Sequence, residues 1–163
     1  MGSPEAADAR MRTIAIVNQK GGCGKTTTSI NLSATLAARG FRTLLVDLDP
    51  QSHCAAGLGV PEDRIEHGIA EALLADPVGG ANPESMLWEV AKNLRLAPST
   101  VALAGLEAAR GGLAVVADRD ARLAKLLDRL VDRFDWCIID CPPTIGLLTF
   151  NALRAADEAL VPV

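Results

Sequence analysis

A short run of the sequence combines glycines, lysines and threonines in an order that suits phosphate binding. It reads Lys20-Gly21-Gly22-Cys23-Gly24-Lys25-Thr26-Thr27. Glycines let the backbone come close enough for successive N–H groups to surround phosphate oxygens. Lys25 would add a positive charge at the β- and γ-phosphates, and the Thr26 hydroxyl could ligate Mg²⁺. A glycine-rich turn with merely solvated lysines is the alternative, and the combination of residue types in one loop argues against it.

Two apolar stretches elsewhere in the chain end in carboxylates. One begins at Thr43 and ends with Asp47 and Asp49, and the other begins at Trp136 and ends with Asp140. A strand that ends in Asp is common, but beside a phosphate-binding loop its carboxylate is typical of a group that holds Mg²⁺ directly or through water. The alternative for Asp47 and Asp49 is a pair of turn carboxylates that cap a loop.

Hydrophobic periodicity indicates which elements position these groups. The β-branched run 13–17 predicts a buried strand, and the alanine-rich stretch 25–39 before Gly40 predicts a helix, so the glycines lie on a strand-to-helix turn. Further strands are predicted at 43–49, 94–99, 136–140 and 159–163, and further helices at 69–74, 84–91, 100–110 and 123–134. The pattern predicts a doubly wound, mostly parallel α/β sheet of at least five strands, with the first two as parallel neighbours or near-neighbours. Ligands of such sheets bind at the carboxyl ends of the strands.

Composition limits the remaining possibilities. A chain of 163 residues that is 49% hydrophobic suffices for one domain with a sizeable core. We assign residues 12–163 to that domain and residues 1–11 to a flexible leader or artificial remnant. The net charge of -4 provides no general basic surface for nucleic acid. No apolar run approaches the length of a membrane span. The four cysteines form no C-x-x-C pair, which favours reduced thiols in the cytosol.

The loop resembles a known family. The ordinary phosphate-loop pattern fails because Gln19 stands where its first glycine belongs, whereas Lys20 to Thr27 matches the deviant Walker A motif of the ParA/MinD class of P-loop ATPases in full. The flanking segments 18–20, 28–32 and 144–153 resemble the ParA (Soj) partition branch. The resemblance extends over nearly all of residues 12–163. Family members continue well past the last strand, so the resemblance predicts a truncated fold here, with the adenine contacts and most DNA contacts beyond Val163.

The resemblance implies a function and a role for each candidate residue. It implies an Mg-ATP-dependent ATPase for chromosome or plasmid partitioning. Such an ATPase forms an ATP-sandwich dimer, binds DNA non-specifically, responds to a ParB-like partner and is cytoplasmic and nucleoid-associated. Lys25 and the loop from Lys20 to Thr27 would bind the phosphates, and Lys20 would also reach the partner's nucleotide. Thr26 and Asp140 would hold Mg²⁺ with support from Asp47, while Asp49 would orient the attacking water.

Other members of this class remain as alternatives. A MinD-like ATPase that cycles on a membrane shares the loop, although Asp49-Pro50-Gln51 favours the partition branch. A ParA-like positioner of a non-DNA cargo has the same motifs. An iron–sulfur carrier ATPase would need cysteines on a dimer axis, and these cysteines do not resemble that pattern. A tyrosine autokinase is disfavoured because the chain contains no Tyr.

Overall fold

The computed structural model describes residues 10–51, 53–75, 80, 82–107 and 112–163. Its strands are β1 (Arg12–Ile16), β2 (Thr43–Asp47), β3 (Trp88–Ala91), β4 (Leu94–Ala97), β5 (Trp136–Asp140) and β6 (Glu158–Leu160). Its α-helices are α1 (Lys25–Ala38), α2 (His53–Gly57), α3 (Ile69–Leu74), α4 (Arg122–Asp128) and α5 (Leu147–Ala155). Short 3₁₀ helices cover Glu62–Arg64, Pro83–Met86, Val101–Gly105 and Gly112–Val115.

The strands form one sheet in the order β3-β4-β2-β5-β1-β6. All neighbours are parallel except β3 and β4, which pair antiparallel at one edge. The strands β1 and β2 are near-neighbours, because each pairs with one side of β5. The predicted mostly parallel α/β sheet of at least five strands is therefore confirmed.

Helices cover both faces of the sheet, as the continuous apolar character of the strands requires. On β5, Ile138 packs in the cluster that contains residues of α1 and α2, whereas Cys137 and Ile139 pack in the cluster that contains residues of α3, α4 and α5. Alternate residues of a strand point to opposite faces, so a strand buried on both sides belongs to two separate cores. This double-sided packing holds the carboxyl end of β5 in the middle of the sheet.

The predicted helix over 84–91 is wrong. The structure has a 3₁₀ turn at Pro83–Met86, followed by the edge strand β3, in which Trp88 and Val90 are half-buried and Glu89 and Ala91 are exposed. This alternation has the period of a strand, and Trp and Val favour strands. A tight connection to β4 contains Asn93 at φ 65°, a conformation that Asn tolerates better than most residues.

Two other helix predictions were too long. Of the predicted helix 100–110, the structure has the 3₁₀ helix Val101–Gly105, and residues 108–110 lie outside the described part. Helix α4 ends at Asp128 instead of reaching residue 134, and turns follow. Leu130 and Phe134 are nevertheless buried in the core, so their burial does not depend on a continuous helix.

Two residues of the predicted leader, Arg10 and Met11, belong to the described part of the chain. Residues 1–9 lie outside the described part of the chain, Arg10 contacts Asp128 at 3.3 Å, and Met11 is buried in the core.

Within the described residues, none of the helices has the length and apolar character needed to cross a bilayer.

Candidate nucleotide and metal site

Three adjacent strands deliver the candidate residues to one edge of the sheet. The glycine-rich loop follows β1, while Asp47 and Asp140 are the last residues of β2 and β5 and lie opposite each other in register. The parallel strands β1, β5 and β2 are consecutive in the sheet, so their carboxyl ends meet. The site thus lies where open α/β sheets bind their ligands.

The loop between β1 and α1 has a backbone that favours glycine. Gly22 and Gly24 have φ values of 73° and 84°, which are in the left-handed region, and Gly24 is the N-cap of α1. A Cβ atom placed at Gly21, Gly22 or Gly24 would meet nothing within 4 Å, so the loop is open on the side of its glycines. An open loop that leads into a 14-residue helix fits an anion at the positive end of that helix.

The two lysines of the loop occupy different environments. The Lys25 side chain is buried, and its Nζ donates to the backbone oxygen of Lys20 at 3.4 Å. Lys25 therefore places its ammonium group within the curve of the loop, where a phosphate would meet it. Lys20 is exposed, and its backbone N–H donates to Asn18 Oδ1 at 2.9 Å. Cys23 is half-buried and Thr27 is exposed on the first turn of α1.

Asp140 accepts hydrogen bonds from two hydroxyl groups of α1. Thr26 Oγ1 donates to Asp140 Oδ2 at 2.7 Å, and Ser29 Oγ donates to Asp140 Oδ1 at 2.8 Å. The two hydroxyls lie three residues apart and so share one face of the helix. Sequence reasoning identified Thr26 and Asp140 but missed Ser29, whose spacing from Thr26 was the available signal.

The two carboxylates at the carboxyl end of β2 have different positions. Asp47 is fully buried, and its oxygens accept from the backbone N–H groups of Asp49 at 3.0 Å and Cys54 at 3.1 Å. Asp49 lies in the turn beyond the strand, where its Oδ1 accepts from the N–H of Gln51 at 3.0 Å. Asp49 is 8% exposed, so it lies at the border between the buried pair and solvent.

Burial and mutual repulsion make the pair of strand-end carboxylates unfavourable when both are charged. Burial, followed by the charge of Asp140, raises the pKa of Asp47 to about 7. Burial also raises the pKa of Asp140, and the hydroxyls of Thr26 and Ser29 oppose this shift because they stabilise the carboxylate. A divalent cation between these groups would remove the repulsion, so the described residues fit a hard cation such as Mg²⁺.

A cysteine that sequence reasoning did not select lies in the same place. Cys54 of α2 is fully buried, and its Sγ lies 3.5 Å from Asp140 Oδ2. Potential ligand atoms of Asp47, Cys54 and Asp140 all lie within 4.8 Å of one another. Burial raises the pKa of the Cys54 thiol, and the nearby carboxylates raise it further. Nothing in the sequence indicated this contact, because it depends on how α2 packs against β5.

Asn18 connects the loop to the segment that follows β6. Its Nδ2 donates to the backbone oxygen of Pro162 at 2.7 Å, while its Oδ1 accepts from Lys20. One amide side chain thus fixes the start of the loop to the end of the neighbouring strand. The sequence analysis placed Asn18 in the family motif without giving it a contact.

A mostly parallel sheet with a glycine-rich loop, a buried lysine and a strand-end aspartate bound to the helix hydroxyls defines the class of P-loop nucleotide-binding proteins. A family model described as "AAA domain" matches residues 11–163. The chain belongs to this family, and its resemblance to ParA/Soj-type partition ATPases is confirmed by named relatives.

Two curated relatives carry those names. The chain is 47% identical over 153 residues to the chromosome partitioning protein ParA of Myxococcus xanthus, and this match covers 93% of this chain and 52% of the relative. It is 43% identical over 154 residues to the sporulation initiation inhibitor protein Soj of Bacillus subtilis, and this match covers 93% of this chain and 58% of the relative. The chain thus spans about half the length of the curated relatives it matches.

Two solved structures share the fold. Cobyrinic acid a,c-diamide synthase from Mycobacterium smegmatis, with a bound ATP analogue and magnesium, is 40% identical with a TM-score of 0.85, and the match covers 94% of this chain and 60% of that one. The McdA–ATP complex from Cyanothece is 29% identical with a TM-score of 0.82, and the match covers 94% of this chain and 56% of that one.

Proposed function

We propose that residues 12–163 are the ATPase domain of a ParA-type partition protein that binds and hydrolyses ATP with Mg²⁺. The observation that carries this proposal is the bond between Thr26 and Asp140 at 2.7 Å beside the buried ammonium group of Lys25. It joins a phosphate-binding loop to a strand-end carboxylate. The names of the curated relatives support the partition role.

In this proposal the loop binds the phosphates of ATP. Lys25 neutralises the β- and γ-phosphates, and the backbone N–H groups at the start of α1 donate to their oxygens. The cofactor-binding residues are Lys20, Gly21, Gly22, Cys23, Gly24, Lys25, Thr26 and Thr27. The open side of the loop gives the phosphates access without displacement of a side chain.

The metal-holding residues are Thr26, Asp140 and Asp47. An Mg²⁺ ion held by these residues would supply positive charge to the phosphates during transfer. Thr26 is already bound to Asp140, so the two groups are preorganised as a hydroxyl and a carboxylate ligand. Ser29 holds the second oxygen of Asp140 and thereby fixes the orientation of the carboxylate. Asp47 lies opposite Asp140 in register and adds negative charge behind it.

Asp49 is the residue that orients the attacking water. It stands just beyond the strand end, on the same edge of the sheet as the loop, and is nearly buried. Hydrolysis leaves the protein little covalent work, so catalysis depends on the position of the nucleophile and on charge stabilisation. Asp49 supplies an acceptor for the water's proton, while Lys25 stabilises the phosphate charge.

Assembly and partners complete the proposal. The exposed Lys20 reaches the nucleotide of a second subunit and thereby supports an ATP-sandwich dimer. The dimer binds DNA non-specifically, associates with the nucleoid and responds to a ParB-like activator. The acidic balance of this chain favours a DNA surface contributed mostly by other parts of the protein.

A synthase activity is a second candidate, favoured by the Mycobacterium smegmatis structure at 40% identity and a TM-score of 0.85. In that case ATP cleavage would drive the formation of a diamide from cobyrinic acid, as the name of that enzyme implies. A positioning ATPase for a non-DNA cargo would use the same nucleotide site as a partition ATPase.

Calorimetry of ATP binding with Mg²⁺ tests the nucleotide site in the full-length protein. Lys25→Ala should abolish measurable ATP binding, because it removes the cation facing the phosphates. Lys92→Ala is the matched control, since Lys92 is exposed in the β3–β4 connection at the opposite edge of the sheet. Unchanged affinity in Lys25→Ala would contradict the assignment. Stimulation of hydrolysis by duplex DNA with a ParB-like protein, and not by cobyrinic acid, would distinguish partition from synthesis.

A further inference from the structure

We propose that Asp47, Cys54 and Asp140 form a site for a thiophilic divalent cation of the zinc class. The site shares Asp47 and Asp140 with the metal site of the proposed function, but it replaces the hydroxyl of Thr26 by the sulfur of Cys54, a ligand that Mg²⁺ does not favour. It would be filled without nucleotide, and its occupation would compete with the Mg-ATP form. The competition, but not the cation binding itself, rests on the proposed function.

The distance between Cys54 and Asp140 agrees with the geometry of a tetrahedral ion. A zinc ion has bonds of about 2.3 Å to sulfur and about 2.0 Å to a carboxylate oxygen, so a tetrahedral angle separates the two ligand atoms by about 3.5 Å. The distance from Cys54 Sγ to Asp140 Oδ2 is 3.5 Å. The ligand atoms of all three residues lie within 4.8 Å of one another, so small side-chain rotations would complete a three-ligand set.

The three ligands come from elements that pack together independently of any ion. Asp47 and Asp140 end two paired strands, and the N–H of Cys54 donates to Asp47 Oδ2 at 3.1 Å, which holds the start of α2 against β2. Each of the three residues is fully buried. A buried, preformed set reduces the conformational entropy that an ion would otherwise have to overcome when it binds.

The donor atoms determine which ion the site prefers. Mg²⁺ prefers oxygen ligands in an octahedral arrangement, whereas a thiolate with carboxylates suits Zn²⁺, Co²⁺ or Cd²⁺. Binding releases to water the thiol proton of Cys54 and any proton held by the two carboxyl groups, and it leaves the ion bound by one sulfur and two carboxylate oxygens. A fourth position then remains for water. The charge of the ion offsets the repulsion between Asp47 and Asp140.

Such an ion would affect the nucleotide site through Asp140. The Oδ2 atom near Cys54 also accepts the hydroxyl of Thr26. An ion drawn toward Cys54 engages this oxygen and weakens its bond to Thr26, the bond that preorganises the two Mg²⁺ ligands of the proposed function. A zinc-class ion should therefore lower the affinity for Mg-ATP.

Cobalt titration of the full-length protein without nucleotide tests the site. Co²⁺ bound to a thiolate gives a sulfur-to-metal charge-transfer band, which we expect in the wild type and which excess Zn²⁺ should remove. Cys54→Ala should abolish the band and weaken Zn²⁺ binding by more than about tenfold. Cys23→Ala is the matched control: Cys23 is the half-buried thiol of the loop, so an adventitious surface complex would depend on it.

The possible results distinguish a cation site from a cysteine that only donates a hydrogen bond to Asp140. They also distinguish failure of this proposal from failure of the proposed function. No band in the wild type, a band that persists in Cys54→Ala, or one that is lost in Cys23→Ala would overturn the proposal. ATP binding by Cys54→Ala in Mg²⁺ would show that the variant is folded. Loss of the band with ATP binding intact supports the cation site, whereas failure of Lys25→Ala to affect ATP binding would count only against the nucleotide site.

Discussion

The buried carboxylate of Asp47 should make the protein less stable as the pH rises. The folded state raises the pKa of Asp47 from 3.8 to about 7, chiefly through burial and then through the charge of Asp140. A raised pKa means that the folded state binds the proton more tightly than the unfolded state. The resulting stabilisation is fully present below about pH 4 and is lost as the pH rises through about 7. Asp47→Asn should remove this dependence.

The size of the effect follows from the shift in pKa. Each pKa unit corresponds to about 1.4 kcal/mol, and half of the Asp47 proton is already released at pH 7, so between about pH 5 and pH 7 the wild type should lose about 2 kcal/mol relative to Asp47→Asn. The comparison between two pH values cancels the constant cost of replacing one carboxylate oxygen by an amide nitrogen.

Urea unfolding at a series of pH values measures this difference. The assay contains EDTA and no nucleotide, because a bound cation would neutralise the pair. Its probe is the fluorescence of the two tryptophans of this chain, Trp88 on β3 and Trp136 on β5. Asp135→Asn is a control of opposite sign: its hydrogen bond with Arg42 lowers the pKa of Asp135, so its contribution is present at neutral pH and is lost as the pH falls. Equal pH dependence in the wild type and Asp47→Asn would refute the reasoning.

Three further variants test individual parts of the site. Asp49→Ala should leave ATP affinity near normal and slow single-turnover hydrolysis by roughly 10²-fold or more, since one positioned group is lost. A parallel loss of ATP affinity would make Asp49 a metal or structural residue. Lys20→Gln should bind ATP but fail to dimerise in light scattering with a slowly hydrolysed analogue, and a normal dimer would contradict the role of Lys20. Gly24→Ala should lower the free energy of unfolding by about 1–2 kcal/mol, because the φ of Gly24 is 84°. Gly21→Ala is the control, since Gly21 has an ordinary φ and open space for a Cβ atom, and it should change this free energy little. Equal effects of the two variants in denaturant unfolding would exclude backbone strain at Gly24.

The local sequence was sufficient to predict those structural features that depend on a single strand, helix or loop. The loop from Lys20 to Thr27 could be predicted because its glycines, lysines and threonines act through their spacing along the chain. The strands that end in Asp47 and Asp140 could be predicted because they are buried on both faces and hence apolar throughout. The edge strand β3 was mistaken for a helix, because short apolar runs fit either period and its partner β4 decides the outcome.

Contacts between elements were decided only by the tertiary structure. The sequence determined that Thr26, Asp47 and Asp140 belong to one edge of a parallel sheet. It did not determine that Asp47 and Asp140 are in register on paired strands, because strand order depends on how helices cover the sheet. The contact of Cys54 with Asp140 spans 86 positions of the chain, and the bond of Ser29 to Asp140 spans 111. Such pairs are brought together by packing, which leaves no periodic signal in the sequence, so the raised pKa of Asp47 and the sulfur ligand appeared only with the fold.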